Sequence, residues 1–188
     1  MTASTLTSRA LRAAPFTLGF LAFASASSAA TPARGMMHAS SYGSSIETRL
    51  LATHNRERAL FGAAPLQWDP ALAAAAASYG PSLSAMGRLQ HSSRANRPGQ
   101  AENLWMGTRG AYQPEAMVGA WNDEKRFLRP GTFPAVSSTG KWQDVAHFTQ
   151  VIWKGTTHVG CAVHRDAHYD FLICRYSPKG NIDGRRVP

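Results

Sequence analysis

Residues 144–161 of this 188-residue chain read DVAHFTQVIWKGTTHVGC, and this stretch predicts a short buried helix followed by a β-strand. Asp144 is a favourable N-cap, because its carboxylate can accept hydrogen bonds from the free N–H groups of a first helical turn. Gly155 is a favourable residue for the position just after a helix. Three apolar residues between these ends have the i, i+3, i+4 spacing of one buried helical face: Phe148, Val151 and Ile152. His147 therefore falls in the first turn, beside the apolar face.

The segment resembles the signature of the CAP superfamily, which groups the cysteine-rich secretory proteins, antigen 5 and the plant pathogenesis-related class one proteins. The family pattern is Gly-His-Tyr/Phe-Thr-Gln-Val-Val/Ile-Trp followed by Gly-Cys. It is similar to residues 146–153 and to Gly160-Cys161 here, with Ala146 in place of the first Gly. Four other stretches also match family motifs: residues 54–58, 65–69, 101–104 and 174–184. The agreement of separate motifs over about residues 44–184 makes the resemblance specific.

The first 43 residues predict an export signal followed by a linker. Residues 1–30 place Arg9 and Arg12 before an apolar run that is too short to span a bilayer, and small residues suited to cleavage follow. Residues 31–43 are rich in small residues and predict a flexible linker. The length of residues 44–188 suits a single domain. We therefore expect a secreted protein, extracellular or periplasmic, whose mature form has no transmembrane segment.

The chain is strongly basic, with a formal net charge of +9 that falls to +7 once the two charges of Arg9 and Arg12 are removed. Such a balance favours contact with acidic surfaces, including cell-surface polymers. The Lys and Arg residues are nevertheless scattered, and the sequence contains no dense basic run and no recognisable nucleic-acid-binding motif. The composition therefore predicts weak attraction to acidic polymers and no specific nucleic-acid partner.

Capping signals predict three helices before the central one. Ser44, with Glu47 as the partner in a capping box, begins a helix that extends to about residue 61. Asp69 caps a second helix, which Gly80 is expected to end at residue 79. Pro114 begins a third helix that extends to about residue 128.

The third predicted helix carries an acidic residue on its apolar face. Glu124 shares that face with three apolar residues at helical spacing: Met117, Trp121 and Leu128. A carboxylate on a buried face lowers the stability of a fold unless another group pairs with it. The spacing alone therefore predicts a partner for Glu124 elsewhere in the chain.

The C-terminal part of the chain predicts a β-hairpin from two β-rich runs, residues 157–163 and 171–176, joined by a polar connection. Antiparallel pairing about the centre of that connection sets Cys161 roughly opposite Cys174. In an exported protein with two cysteines, a disulfide between them is the expected state. The lack of further cysteines is similar to a minimal, microbial-type member of the family. After the hairpin we expect a docked structural tail rather than a released peptide.

The resemblance implies an α+β fold, a three-layer α-β-α sandwich in which helices cover both faces of a small, mostly antiparallel sheet. It also implies a central cleft that brings together two histidines and two acidic residues. By motif, these positions are His91, Glu102, Glu124 and His147. His54, which opens the His-Asn-x-x-Arg motif, is expected to be a hydrogen-bonded core residue instead.

The sequence leaves two interpretations of the cleft open. His91 and His147 could ligate zinc or magnesium, with carboxylates or water completing the coordination, and Glu102 or Glu124 could then act as a general base. Alternatively, the four residues form a paired polar network that orders the cleft. The sequence contains no His-Glu-x-x-His metalloprotease motif and no serine or cysteine nucleophile motif, so it favours a protein that is not an enzyme.

Three functional hypotheses stay open, in order of preference, and the resemblance implies the first of them. The first is a secreted binding module for sterols, fatty acids or other apolar ligands, with or without a divalent metal in the cleft. The second is a metal-dependent hydrolase that uses His91 and His147 as ligands. The third is an interaction protein of the cell surface, whose basic exterior meets acidic polymers. A shared fold does not by itself select among these functions.

Overall fold

The computed structural model describes residues 45–188. Four α-helices lie within this range: α1 (Ile46–Leu60), α2 (Pro70–Met86), α3 (Pro114–Asn122) and α4 (Ala146–Val151). Six strands accompany them: β1 (Gln67–Trp68), β2 (Ala101–Thr108), β3 (Gly131–Thr132), β4 (His158–Arg165), β5 (Tyr169–Ser177) and β6 (Arg186–Val187). The export signal over residues 1–30, the linker over residues 31–43 and the cap Ser44 lie outside the described residues and stay predictions.

The main sheet has four strands in the order β1-β4-β5-β2. β4 pairs with β5 and β5 pairs with β2 in the antiparallel sense, whereas β1 runs parallel to β4. β3 and β6 form a separate antiparallel pair. The small, mostly antiparallel sheet implied by the resemblance is therefore confirmed.

Alternate residues of β5 face opposite layers of helices. Cys174 and Tyr176 belong to an apolar cluster that includes buried residues of α1, α3 and α4. Phe171 and Ile173 belong to a second cluster that includes buried residues of α2. This period of two places helices on both faces of the sheet and confirms the three-layer α-β-α sandwich. Within residues 45–188, no helix combines the length and apolar character needed to cross a membrane.

The predicted C-terminal hairpin is present, with strand ends that differ from the prediction by one or two residues. Cys161 lies directly opposite Cys174 in the antiparallel register of β4 and β5. Their sulfurs form a disulfide that joins the two central strands of the sheet. By constraining the unfolded chain, closure of so short a loop contributes about 3 kcal/mol on the chain-entropy view.

α1 begins one residue later than the capping signals predict. Its N-cap is Ser45, whose Oγ accepts a hydrogen bond from the backbone N–H of Thr48 at 3.2 Å. Because Ser44 lies outside the described residues, the proposed capping box stays untested. The first helical turn therefore depends on the second serine of the pair.

α2 corrects the prediction that Gly80 stops the helix. Asp69 does cap its start, accepting two backbone N–H groups, but the helix continues past Gly80 and ends at Gly87, where φ is 61°. Gly80 is fully enclosed, because a Cβ at this position would overlap the side chain of His164 on β4. The glycine therefore permits the close approach of α2 to the sheet, and the left-handed Gly87 is the residue that ends the helix.

α3 is shorter than predicted, because it ends at Asn122 and continues as a 3₁₀ helix over Asp123–Phe127. Glu124 lies on this tighter helix. Its Oε2 accepts hydrogen bonds from the backbone N–H groups of His147 and Phe148, at the start of α4. The carboxylate predicted to need a partner therefore caps the next helix.

α4 is also shorter than predicted, since a 3₁₀ helix over Trp142–Val145 precedes it and it ends at Val151. The prediction that Asp144 is the N-cap is wrong, because Asp144 Oδ2 accepts a hydrogen bond from Thr139 Oγ1 at 2.6 Å instead. The predicted apolar face is confirmed, since all three of its residues are fully buried: Phe148, Val151 and Ile152. The start of α4 is therefore capped by Glu124, from the 3₁₀ helix after α3, and not by Asp144.

A buried arginine holds the other end of α4. Arg58 of α1 is 0% exposed, and its guanidinium donates hydrogen bonds of 2.7 to 3.0 Å to four backbone carbonyls: those of Ala64, Val151, Trp153 and Thr156. Burial lowers the pKa of Arg58 to about 10, so the group stays charged at neutral pH. The carbonyls at the end of a helix carry partial negative charge, which favours a cation there.

Arg58→Lys is expected to lower the free energy of unfolding by about 3 kcal/mol, because an ammonium group cannot reach four carbonyls and leaves buried acceptors unpaired. Urea unfolding of the oxidised protein measures the change. Arg56→Lys is the matched control, since Arg56 is exposed on the same helix and its side chain bonds Thr53 Oγ1. Equal stability of the two variants would contradict the role given to Arg58.

Candidate functional site

A cleft of about 660 Å³ opens beside the start of α4. Three of the four residues expected from the motifs line it: His91, Glu102 and His147. His91 comes from the loop after α2, Glu102 from β2 and His147 from the first turn of α4. Glu124 is not part of the lining and reaches the cleft through its hydrogen bond to His147. The four residues are thus arranged as two His–Glu pairs.

Glu102 is a fully buried carboxylate with four donors around it. His91 Nδ1 and the backbone N–H of Ser92 each lie 2.9 Å from Oε1, and Ser92 Oγ donates to Oε2 at 2.9 Å. Arg175 Nε adds an ion pair at 3.0 Å from Oε2. Burial opposes ionisation, but the hydrogen bonds from His91 and Ser92 and the charge of Arg175 outweigh it and hold the pKa of Glu102 below its usual range. Glu102 is therefore an anion that orients His91.

Glu124 orients the second histidine in the same way. Its Oε1 lies 2.6 Å from His147 Nδ1, while Oε2 accepts the N–H groups of His147 at 3.0 Å and of Phe148 at 3.1 Å. The indole ring of Trp121 stacks against the imidazole of His147, with ring centroids 6.0 Å apart and planes inclined by 15°. One carboxylate therefore caps α4 and sets the orientation of the His147 ring.

In both histidines Nδ1 is hydrogen-bonded and Nε2 is free within the described part of the chain. Each Nδ1 bonds to a carboxylate, and within residues 45–188 neither Nε2 has a hydrogen-bond partner. The side chains of His91 and His147 are 54% and 32% exposed, so both rings are accessible from solvent. Metal-binding histidines commonly donate the second ring N–H to a carboxylate in this manner. Each imidazole therefore has the second-nitrogen partner that is typical of a metal-binding histidine.

The acidic residues do not complete a dense cluster of protein ligands around these imidazoles. Among the described residues, we find one group of three His, Cys, Asp or Glu side chains whose ligand atoms all lie within 4.8 Å of one another. It consists of His54, Cys161 and Cys174. Its two sulfurs are joined in the disulfide and bind no metal. A cation on His91 and His147 would therefore take water or a bound ligand in its remaining coordination positions.

A buried chain of hydrogen bonds connects the backbone of His147 in the cleft to the core. Asn103 Nδ2 donates to the backbone carbonyl of His147 at 3.1 Å and to the Tyr176 hydroxyl at 3.2 Å. The hydroxyl bonds to His54 Nε2 at 2.8 Å, and His54 Nδ1 bonds to the carbonyl of Leu50 at 2.8 Å. Burial lowers the pKa of His54 to about 4, so this fully buried histidine is neutral at physiological pH. The expectation of a hydrogen-bonded core histidine is confirmed.

The other walls of the cleft come from segments to which sequence reasoning assigned no functional role. Basic side chains on the lining are Arg94, Arg97 and Lys179, and apolar ones include Phe133, Trp142 and Ile182. The C-terminal tail takes part because it is docked: the N–H of Gly180 donates to Gln150 Oε1 at 2.9 Å, and Asn181 Nδ2 donates to the Ala146 carbonyl at 2.8 Å. The tail motif over residues 174–184 was the sequence signal available for this wall, because its last residues line the cleft.

Comparison with known proteins identifies the family of this chain. A family model described as the cysteine-rich secretory protein family, CAP, matches residues 51–176. Pathogenesis-related protein PRMS of Zea mays is 34% identical over 149 residues, which cover 78% of this chain and 84% of that protein. Pathogenesis-related protein PR-1 of Medicago truncatula is 35% identical over 144 residues, which cover 76% of this chain and 79% of that protein.

A solved structure shares the fold. The crystal structure of NaASP2 with Zn²⁺ aligns with a TM-score of 0.63 at 22% identity, over 75% of this chain and 83% of that one. The fold and the His/Glu cleft define an α-β-α sandwich domain of the secretory CAP type. The chain belongs to the cysteine-rich secretory protein family.

We expect His54 to make the fold sensitive to acid. Its pKa in the folded protein, about 4, lies below its usual value of 6.5, so the unfolded chain binds a proton between these values and the folded protein does not. Stability then falls as the pH falls through this window, by about 2 kcal/mol between pH 7 and pH 4.5. His54→Gln removes that part of the pH dependence, and urea unfolding at a series of pH values measures it.

The matched control for this experiment is His168→Gln, because His168 is exposed in the turn between β4 and β5. This variant is expected to keep the pH dependence of the parent protein. If His54→Gln keeps the same slope as well, the buried histidine is not the group that titrates.

Proposed function

We propose that this protein is an exported binding protein whose cleft takes an amphipathic small molecule of the sterol or fatty-acid type. The observation that carries the proposal is an open apolar surface at the cleft. Trp142 and Ile182 line the cleft and are 39% and 38% exposed. Phe133 lines it too and packs edge-on against Trp142, with ring centroids 5.4 Å apart. Large apolar side chains left accessible beside a cavity are typical of a ligand site.

The size of the cleft agrees with a ligand of this kind. Its volume of about 660 Å³ falls within the range of about 300–1,000 Å³ that small-molecule sites occupy. The walls combine the apolar surface with a few polar groups at fixed positions, among them His91 and His147. Such a combination binds the body of an amphipathic molecule by burial and its polar end by hydrogen bonds or charge.

The charges on the lining favour a ligand with an anionic end. Arg94, Arg97 and Lys179 line the cleft, against the single free acidic residue Asp183 among the described lining. The charge of Glu102 is already matched by Arg175. Within the proposed class, a fatty acid or another anionic amphiphile therefore fits the walls better than a sterol, whose hydroxyl carries no charge.

We further propose that His91 and His147 hold a zinc or magnesium ion in this cleft. The support is the pair of imidazoles whose Nδ1 atoms bond to buried or half-buried carboxylates. This arrangement leaves Nε2 as the ligand atom and raises its basicity. When bound, such an ion would attract an anionic oxygen of the ligand. The imidazole donors favour zinc over magnesium, which prefers oxygen ligands.

A metal-dependent hydrolase has less support from the geometry. The Glu102 carboxylate accepts three hydrogen bonds and is paired with the charge of Arg175, and its pKa is lowered, so it is a poor base. Glu124 accepts three hydrogen bonds and does not line the cleft. Both carboxylates therefore orient histidines, and neither is placed to take a proton from a water molecule in the cleft.

The ligand proposal predicts that palmitate binds the oxidised protein and that the variant Trp142→Ala with Ile182→Ser binds it at least tenfold more weakly. Losing the apolar contacts of two side chains removes more than the roughly 1.4 kcal/mol that a tenfold change represents. Calorimetric titration measures the affinity, with cholesterol in parallel as the uncharged member of the class.

Leu60→Ser is the matched control for that variant. Leu60 is 74% exposed and does not line the cleft, so its replacement removes exposed apolar surface without touching the proposed site. Equal affinity of the cleft variant and the control for both lipids would contradict the proposal. Binding of cholesterol alone would contradict the preference for an anionic end.

The metal proposal predicts saturable binding of zinc to the metal-stripped protein, lost in His147→Ala. His168→Ala, which removes an exposed histidine outside the cleft, is expected to bind as the parent protein does. Calorimetry with zinc, and with magnesium as the second ion, measures both. Equal binding by all three proteins, or none by any of them, would leave the His–Glu pairs as a polar network that orders the cleft.

A further inference from the structure

The opening of the cleft combines exposed apolar side chains with exposed cations. Two basic residues of the lining, Arg94 and Lys179, are exposed to solvent. Three apolar residues of the lining are exposed as well: Pro134, Trp142 and Ile182. Because each of these residues both lines the cavity and reaches solvent, together they surround its opening. We call these five residues the mouth of the cleft.

The loops that carry Trp142 and Ile182 are ordered by their own hydrogen bonds. The N–H of Lys141, directly before Trp142, donates to Thr139 Oγ1 at 3.2 Å. The carbonyl of Ile182 accepts the N–H of Arg185 at 3.1 Å. Both apolar side chains are therefore held open to solvent by folded segments. An apolar group that is already held in place loses little entropy when a partner covers it.

Cations outnumber acidic residues at the mouth and beside it. Within residues 45–188, three exposed cations on the mouth or next to it in the chain have no carboxylate partner: Arg94, Lys141 and Lys179. The acidic residues nearby are Asp183, on the lining, and Asp144, which already accepts a hydrogen bond from a threonine hydroxyl. Arg185 and Arg186 follow Asp183 in the tail and are exposed too. This excess of positive charge attracts an anionic surface.

We propose that the mouth of the cleft docks on an anionic lipid bilayer. Trp142 and Ile182 enter the interfacial region, where tryptophan is favoured because its ring is apolar and its N–H is polar. The cations reach the headgroups, with their alkyl stems along the apolar boundary. An acidic polymer would contact the cations but would leave Ile182 and Pro134 exposed, so the apolar residues favour the bilayer.

Docking of this kind rests on the proposed function, because the docked surface surrounds the cleft that takes the amphiphile. A cleft that opens onto the bilayer receives a sparingly soluble ligand directly from the membrane. Lys141 is exposed beside Trp142 but does not line the cleft. Its replacement therefore changes the docking surface without changing the ligand site, and the two functions can be tested separately.

The test is cosedimentation of the oxidised protein with mixed vesicles of phosphatidylcholine and phosphatidylglycerol, with vesicles of phosphatidylcholine alone in parallel. We expect saturable binding to the mixed vesicles and at least tenfold weaker binding to the neutral ones. Ile182→Ser is expected to weaken binding to the mixed vesicles about fivefold, because it removes apolar surface from the interface. Leu60→Ser is the matched control, since Leu60 is exposed on α1 outside the mouth, and it is expected to bind as the parent protein does.

A second pair of variants separates docking through this surface from an effect of net charge. Lys141→Gln removes one cation beside the mouth and is expected to weaken binding to the mixed vesicles about fivefold. Arg109→Gln makes the same change in net charge at an exposed residue just after β2. The other end of β2 lines the cleft, so Arg109 lies roughly 25 Å from it along the strand. This control is expected to bind the vesicles as the parent protein does.

Any of three results overturns docking by the mouth. The first is the absence of binding to the mixed vesicles. The second is undiminished binding by Ile182→Ser, which would reduce the contact to the charge attraction that an acidic polymer also offers. The third is equal binding by Lys141→Gln and Arg109→Gln, which would make net charge the cause.

Calorimetric titration of Lys141→Gln with palmitate distinguishes this outcome from a failure of the proposed function. The variant is expected to bind palmitate as the parent protein does, because Lys141 does not line the cleft. Palmitate binding without vesicle binding contradicts the docking alone. Vesicle binding with the expected dependence on Ile182 and Lys141, but without palmitate binding, supports the docking and contradicts the proposed ligand.

Discussion

The buried guanidinium of Arg58 is the interaction on which the site depends. It bonds to carbonyls in the loop after α1, at the end of α4 and in the approach to β4, so it joins three parts of the chain at one point. No acidic side chain bonds to it among the described residues, and the backbone dipoles neutralise it. Four acceptors in fixed directions specify one geometry, because a displaced segment would leave a buried charge unpaired.

The six residues of α4 are too few to form a stable helix alone. Charged side chains from other elements hold both ends: Glu124 accepts the first N–H groups, and Arg58 donates to the last carbonyls. Each charge has the sign that the helix dipole favours at its end. His147 in the first turn is placed by this arrangement, and the same Glu124 orients its ring. The stability of the helix and the geometry of the site therefore rest on the same two side chains.

The sequence predicted what depends on local pattern and missed what depends on contacts between distant segments. The buried face of α4, the facing cysteines and the need of Glu124 for a partner follow from spacing, and all three are present. Asp144 is a residue type suited to an N-cap, but the carboxylate of Glu124 accepts the N–H groups at the start of α4 instead. Gly80 is a residue type that often ends a helix, but here the close packing of α2 on β4 requires a glycine within the helix. The apolar wall of the cleft comes from two loops and the start of a short 3₁₀ helix, which show no hydrophobic periodicity, so no pattern could indicate it.

Glu102 connects the cleft to the central part of the sheet. Its Oε1 bonds to His91 Nδ1, and its Oε2 faces the guanidinium of Arg175 on β5. Both members of this ion pair are buried, so neither side chain can move away without leaving the other charge unpaired inside the protein. The orientation of His91 is therefore fixed from β5, just as Glu124 fixes the orientation of His147 from the segment after α3.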